Sequence, residues 1–197
     1  MNGDAVLIAA WLTVLAFAGL AAFFLSRYSS KRYQTNQKKT TILFVAVILL
    51  MTVWMLCFFG CSAITLKGII LSLILLQSSF EDIRERECDD CLHVMILVAA
   101  FIGNGATSWL GMMLSAGFVF AIMMGTILIT KEEIGGADIK MSVACAFLLG
   151  LKKGLFGLII GLTLAVIVNA IKNRKNKNAG FPMIPYLAAG FMAAYFI

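Results

Sequence analysis

The sequence predicts an all-α protein that forms a polytopic membrane helix bundle. We expect about eight transmembrane helices, within a range of six to eight. Of its 197 residues, 61% are hydrophobic and 13% are charged, and the mean hydropathy is +0.97. Soluble domains are nearer half apolar and a quarter charged. In lipid, backbone polar groups need partners within the protein, so only helices or a closed barrel can span. The apolar runs are long and lack the period of two that strands show, which favours helices.

Eight apolar runs are separated by short polar gaps, and several runs are shorter than the roughly 20 residues that a full span needs. The third run carries Lys67, and the fourth and sixth hold only about a dozen apolar residues each. We expect the fourth and sixth helices to extend past the hydrocarbon or to border a water-filled cavity, and six or seven spans is the alternative count. The runs are Ala5–Leu25, Thr41–Phe59, Ser62–Phe80, Leu92–Gly103, Ser108–Thr130, Ile139–Gly150, Gly154–Ile171 and Phe181–Ile197.

The polar gaps indicate how the chain crosses the membrane. The net charge of +6 resides in these gaps, a pattern typical of membrane orientation signals rather than of nucleic-acid binding. Alternation of eight helices places the two most basic gaps on one side, which is therefore predicted to be cytoplasmic, with the N-terminus outside. No soluble domain is recognisable, so residues 1–197 are interpreted as one membrane-embedded domain. The basic gap residues are Arg27, Lys31, Arg32, Lys38 and Lys39, and Lys172, Arg174, Lys175 and Lys177.

Nine of the ten acidic residues lie in two clusters, Glu81–Asp90 and Glu132–Asp138. Acids contribute little to topology, so orientation does not explain this clustering. Both clusters fall at predicted cytoplasmic ends of helices, where they can face each other. Two carboxylates brought together share a proton, so that one acts as a base and the other as an acid, which is the chemistry of an aspartyl protease. Solvated helix flanks are the alternative interpretation.

The stretch 134–140, Ile-Gly-Gly-Ala-Asp-Ile-Lys, resembles the Gly-x-Gly-Asp-x-Lys motif of the type IV prepilin peptidases and archaeal preflagellin peptidases. These enzymes belong to the GxGD class of intramembrane aspartyl proteases. Glycines such as Gly135 and Gly136 let an extended substrate backbone come close. Asp138 is expected to N-cap the following helix, whose dipole would favour the ionised carboxylate. Ala137 stands where the motif has its second glycine.

Two further segments carry the same resemblance. Residues 81–86, Glu-Asp-Ile-Arg-Glu-Arg, are similar to the Asp-x-Arg segment that holds the family's first catalytic aspartate, which makes Asp82 that residue. Family members continue with Ile-Pro-Asn, whereas residues 87–90 here read Glu-Cys-Asp-Asp, so Asp89 and Asp90 are weaker alternatives. Residues 182–190, Pro-Met-Ile-Pro-Tyr-Leu-Ala-Ala-Gly, resemble the Pro-Phe-Gly-Pro-Phe-Leu-Ala-x-Gly segment that opens the last helix. The motif-bearing part is therefore 80–197, and residues 1–60 form two helices without a recognisable motif.

The resemblance implies a peptidase that removes the short basic leader from prepilin-like and pseudopilin-like precursors at the cytoplasmic face of the cell membrane. Its catalytic residues would be Asp82 and Asp138, with water as nucleophile and no cofactor or metal. Longer bacterial members also carry a cytoplasmic insert with paired Cys-x-x-Cys motifs and methylate the product, and no such insert is present, so we expect no methyltransferase activity. The expected partners are the precursor and the lipid bilayer, not nucleic acid. Supporting or leader-attracting residues would be Gly135, Gly136, Ala137, Lys140, Arg84, Glu85, Glu87, Glu132, Glu133 and Pro185.

Three other interpretations remain open at this stage. In an ion-coupled transporter subunit, Asp138 would be a cation relay, although inverted repeats are not visible. In a non-catalytic scaffold of a pilus or secretion system, the departures at Ala137 and Ile-Pro-Asn would be expected. Cys88, Cys91 and His93 have the spacing of a metal site or a redox pair, but a clear fourth ligand is missing. We therefore favour the interpretation that the two cysteines are simply small residues at the start of a helix.

Overall fold

The computed structural model describes residues 3–103, 109–130, 135–172 and 181–197. Within these ranges every regular element is an α-helix, which confirms the predicted all-α polytopic bundle. Each predicted apolar run corresponds to one helix. The helices are α1 (Gly3–Arg32), α2 (Gln37–Phe59), α3 (Ala63–Glu85), α4 (Asp90–Ala99), α5 (Trp109–Thr130), α6 (Gly136–Leu149), α7 (Leu151–Lys172) and α8 (Ile184–Tyr195).

Helix length separates two classes. Five helices, α1, α2, α3, α5 and α7, are long and apolar enough to cross a membrane. The other three have 10, 14 and 12 residues in α4, α6 and α8. At 1.5 Å per residue they are about 15 to 21 Å long, against a hydrocarbon core of about 30 Å. The helix α4 ends at Ala99, and the chain then turns and reaches a left-handed conformation at Gly103 (φ 71°). That α4 and α6 extend past the hydrocarbon or border a water-filled cavity stays a prediction.

The chain forms two compact units, Met1–Gln77 and Ser78–Ile197. The first contains α1, α2 and most of α3. The second contains the last turns of α3 and helices α4 to α8, and it begins two residues before the predicted motif-bearing part. That residues 1–197 act as one domain stays a prediction.

In the first unit, α1 and α2 pack as a helical hairpin. The turn ends at Asn36, whose side-chain oxygen accepts hydrogen bonds from the backbone N–H groups of Lys38 and Lys39 and so caps α2. Near this end the Ser29 hydroxyl donates to the Gln77 side chain over 2.6 Å, which links α1 to α3. Such bonds fix helix positions where lipid offers polar groups no alternative partner.

In the second unit, α6 is the central helix and contacts α4, α5, α7 and α8. It is buried along most of its length because neighbouring helices cover it on several sides. The Ser115 hydroxyl of α5 donates to the Ala146 carbonyl of α6 over 2.7 Å. Gly150 (φ 80°) provides the sharp turn into α7. The first turn of α6, which carries Asp138, is thereby held by the whole unit.

Glycines let α7 and α8 pack with their backbones in close contact. A Cβ added to Gly161 would lie 2.8 Å from the Leu187 Cα, and one added to Gly157 would lie 3.0 Å from the Phe191 Cα. From the other side, a Cβ on Gly190 would lie 2.7 Å from the Gly161 Cα. Small residues at such positions are typical of membrane helix pairs. This packing sets the position of α8 and of its N-terminal end.

We expect Gly190→Ala to lower the thermal unfolding temperature of the detergent-purified protein, because the new methyl group would overlap the α7 backbone. Overpacking of this kind costs about 1–3 kcal/mol. The matched control is Gly125→Ala in α5, where an added Cβ meets nothing within 4 Å. Equal unfolding temperatures for the two variants would show that the close α7–α8 contact is not stabilising.

Candidate active site

Asp82 lies in the last turn of α3. The helix continues beyond Phe80, where the apolar run ends, to Glu85, and the Asp82 residue is only 7% exposed. The Arg86 N–H donates to the Asp82 carbonyl over 3.1 Å, and Arg86 then leaves the helix in a left-handed conformation (φ 59°). The first predicted catalytic aspartate therefore stands at the helix end as expected, but with little contact with solvent.

The start of α8 supplies the partner of Asp82. The backbone N–H of Ile184, the first residue of α8, donates to Oδ2 of Asp82 over 2.9 Å. The first N–H groups of a helix have no acceptor within the helix, and the positive end of the helix dipole favours an anion there. Because one partner is charged, this is a strong class of hydrogen bond. Pro185 follows at a first-turn position where its missing N–H costs nothing.

This donor was missed in the sequence, where Ile184 counted only as a departure from the family segment. Any residue other than proline provides a backbone N–H, so the side chain at 184 carries no signal for it. The signal that was present is Pro185, since proline in the first turn marks where a helix begins and where free N–H groups point.

Asp138 occupies a different position from the one predicted. The helix α6 begins at Gly136 with Gly135 as its N-cap, so Asp138 is the third helical residue. The expectation that Asp138 is the N-cap is therefore wrong, because the chain enters the helix two residues earlier. The carboxylate folds back over Gly135, where an added Cβ would lie 2.7 Å from Oδ2. A side chain at position 135 would therefore displace the Asp138 carboxylate.

The electrostatics of Asp138 also differ from expectation. Asp138 precedes the apolar part of α6, and burial, followed by the negative charge of Asp82, raises the pKa of its carboxyl to about 7. Desolvation therefore outweighs the helix dipole that was expected to keep it ionised. The second cause couples Asp138 electrostatically to Asp82, which belongs to the other acidic cluster.

Asp90, the weaker alternative for the first aspartate, has another partner. Its Oδ1 lies 2.7 Å from the Lys140 Nζ, and this hydrogen bond and charge lower the pKa of the Asp90 carboxyl. The pair joins the start of α4 to the first turn of α6, two residues after Asp138. The buried His93 ring approaches the same oxygen, with Nδ1 at 3.7 Å. Asp90 is thus an exposed ion-pair residue and not half of a carboxylate pair.

Asp89, the other alternative, ends the link between α3 and α4. Its backbone N–H donates to the side chain of Glu81 over 3.1 Å, and Glu81 is only 2% exposed. Glu81 was not assigned a role from the sequence. Its buried carboxylate fixes the link directly after the helix turn that carries Asp82.

The remaining predicted residues surround this pair unequally. Arg84 and Glu85 are exposed, and the Arg84 guanidinium lies 5.6 Å from the centroid of the Phe80 ring. Gly136 is exposed, and an added Cβ there meets nothing within 4 Å. Ala137 lies inside the first turn of α6, where alanine is the best helix former. Glu132 and Glu133 lie outside the described residues.

The Cys88 and Cys91 thiols are free. Burial raises the pKa of the Cys88 thiol to about 11, so this thiol is neutral near pH 7. In the described ranges, no three His, Cys, Asp or Glu side chains are grouped as metal ligands.

Comparison with protein families gives one match. A family model described as "Type IV leader peptidase family" matches residues 69–171, just over half of the chain. The match includes both Asp82 and Asp138. Comparison with curated proteins found no match, and comparison with solved structures found none either.

We expect Asp138→Asn to flatten the dependence of the unfolding temperature on pH. A carboxyl whose pKa rises from 3.8 to about 7 on folding stabilises the fold fully below about pH 4, and this contribution is lost as the pH rises through 7. The wild-type unfolding temperature should therefore fall from pH 4 to pH 8 more steeply than that of the variant.

The control for this measurement is Asp90→Asn. The pKa of Asp90 is lowered in the fold, so Asp90 contributes stability above its ordinary pKa and should not flatten the decline. If the unfolding temperature of Asp138→Asn fell with rising pH as steeply as that of the wild type, the raised pKa of Asp138 would be contradicted.

Proposed function

Because the chain belongs to the type IV leader peptidase family, we propose that it is an aspartyl endopeptidase of the cell membrane. Its substrates would be prepilin-like and pseudopilin-like precursors, from which it removes the short basic leader. The observation that carries the proposal is the electrostatic coupling of Asp82 and Asp138 in a largely desolvated setting. Paired carboxylates with unequal proton affinity are the machinery of this reaction class.

The surroundings of the two carboxylates support unequal roles. Asp82 accepts the Ile184 N–H at the positive end of α8, which offsets part of the cost of burying its carboxylate, and it would act as the general base. Asp138, with a pKa of about 7, is substantially protonated near neutral pH and suits the role of general acid. Coupled groups share their titration, so these roles describe the dominant protonation state of the pair.

The proposed reaction begins with a water molecule between the two carboxyl groups. Asp82 takes a proton from this water as the water oxygen attacks the carbonyl carbon of the scissile peptide. Asp138 gives its proton to the carbonyl oxygen, which forms a neutral tetrahedral intermediate. Collapse of the intermediate breaks the C–N bond, with a proton passing to the leaving nitrogen, and regenerates one protonated carboxyl in the pair.

The backbone before Asp138 suits an extended substrate. Gly136 is exposed and has open space where a side chain would lie, so a peptide strand can approach this backbone closely. Gly135, in contrast, leaves room for the Asp138 carboxylate, which a side chain at this position would displace. The two glycines of the motif would therefore serve different purposes, one for the substrate and one for the catalytic side chain.

The charge distribution supports cleavage at the cytoplasmic face. The basic gaps after α1 and α7 place that face on the side of the acidic clusters, with the N-terminus outside. Exposed acids such as Glu85 and Glu87 would attract a basic leader. Residues 1–197 contain no insert with paired Cys-x-x-Cys motifs, and we propose peptidase activity without methyl transfer.

The scaffold alternative rested on two departures from the family motifs, and both are accommodated without disturbing the carboxylates. Ala137 sits in a regular helical turn, and Asp90, in the stretch where Ile-Pro-Asn would stand, pairs with Lys140. We therefore favour the enzyme over the scaffold. No observation favours the transporter.

We expect Asp82→Asn and Asp138→Asn each to lower kcat for cleavage of a model prepilin by about 10³-fold or more, because each removes an essential half of the acid–base pair. The assay follows leader release in liposomes. Asp90→Asn is the matched control, since it removes a nearby carboxylate outside the pair and should retain most activity. Cleavage by either single variant at the wild-type rate would refute the mechanism.

We expect Glu85→Gln combined with Glu87→Gln to raise the KM for a basic leader several-fold with kcat little changed, since exposed charges act mainly on encounter. The difference from wild type should shrink as salt rises. A substrate whose leader lysines are replaced by glutamine is the control, because its KM should not respond to these variants. An unchanged KM for the basic leader would rule out this role.

A further inference from the structure

A polar pocket lies at the turn between α1 and α2, within the first unit. Its volume is about 420 Å³. Two cations, Arg27 and Lys31, and a set of hydroxyl and amide groups form its walls. The lining residues are Arg27, Tyr28, Ser30, Lys31, Thr35 and Gln37.

Among the described residues, no carboxylate pairs with the two positive charges of the pocket. Arg27 and Lys31 are one helical turn apart on α1, a spacing at which like charges repel. In the described part of the chain, neither forms an ion pair with a carboxylate. The only acid in residues 1–77 is Asp4, 23 residues from Arg27 along the same helix and so about 35 Å away. An anion from outside the protein would relieve this repulsion.

The other groups at the pocket suit a phosphate diester. Tyr28 and Gln37 offer hydroxyl and amide donors, and Gln37 is the first residue of α2, where the helix dipole is positive. The Thr35 hydroxyl already pairs with the Thr40 hydroxyl over 3.1 Å. The Ser30 hydroxyl is already committed to the Ser26 carbonyl over 2.7 Å, so it contributes shape and not a free donor. Several neutral donors around two cations can hold several phosphate oxygens at once.

The position of the pocket identifies the source of that phosphate. It begins where the apolar run of α1 ends at Leu25, and directly before it Phe24 is 66% exposed on a helix long enough to cross the membrane. Tyr28, which is 56% exposed, has the amphipathic character of residues at the headgroup level. Lipid phosphates lie at this level, and basic pockets there bind anionic headgroups.

We propose that this pocket is a binding site for the phosphodiester headgroup of an anionic membrane lipid. The site is independent of the proposed peptidase activity. It would anchor the α1–α2 hairpin to the leaflet in which the turn lies. A soluble phosphate would meet the same donors, but it would lack the acyl chains that lie along the apolar face of α1.

The test is native mass spectrometry of the full chain released from nanodiscs that contain phosphatidylglycerol and phosphatidylcholine. We expect the wild type to retain phosphatidylglycerol in preference, and Arg27→Gln with Lys31→Gln to reduce this retention at least about tenfold. The control is Lys38→Gln with Lys39→Gln, which removes the same charge at the same end of the α1–α2 hairpin but outside the pocket lining, and it should retain the lipid.

Circular dichroism establishes that each variant is folded, and Arg27→Lys with Lys31→Arg, which keeps both charges, should bind as the wild type does. Equal losses in the two glutamine variants would overturn the pocket in favour of general attraction to a basic surface. No loss in either variant would overturn it as well. Displacement of the lipid by millimolar inorganic phosphate would show a site for a soluble anion and overturn the assignment to lipid.

Discussion

The hydrogen bond from the Ile184 N–H to the Asp82 carboxylate is the interaction on which the site depends. It joins the end of α3 to the start of α8 across 102 residues of sequence. A carboxylate removed from water is costly unless a donor replaces the lost solvent, and the first turn of a helix has such donors to spare. The same bond satisfies an orphan backbone group and favours the anion.

The packing of the second unit holds this bond in place. Gly157 and Gly161 of α7 let α8 approach until the backbones touch, and this contact positions the first turn of α8. The helix α6 contacts both α7 and α8, so its first turn, with Asp138, is positioned by the same contacts. The glycines of α7 therefore influence where the Asp82 and Asp138 carboxylates lie.

The link between α3 and α4 shows how a departure from a family motif can be absorbed. In place of Ile-Pro-Asn, this chain has a buried Glu81 that holds the Asp89 N–H and an Asp90 that pairs with Lys140 of α6. Both contacts stabilise the link between α3 and α4, and neither involves Asp82 or Asp138. The Lys140 position of the family motif is therefore explained by a partner that the resemblance did not identify.

The sequence by itself determined the membrane class, the positions of the eight helices and the two segments that carry Asp82 and Asp138, because hydrophobic runs and charge clusters are local properties. Tertiary structure decided that Asp138 lies inside a helix turn and not at its cap, that burial keeps its pKa near 7, and that Ile184 is the donor to Asp82. Desolvation and backbone donors depend on which distant segments meet, and no local pattern of residue types encodes that.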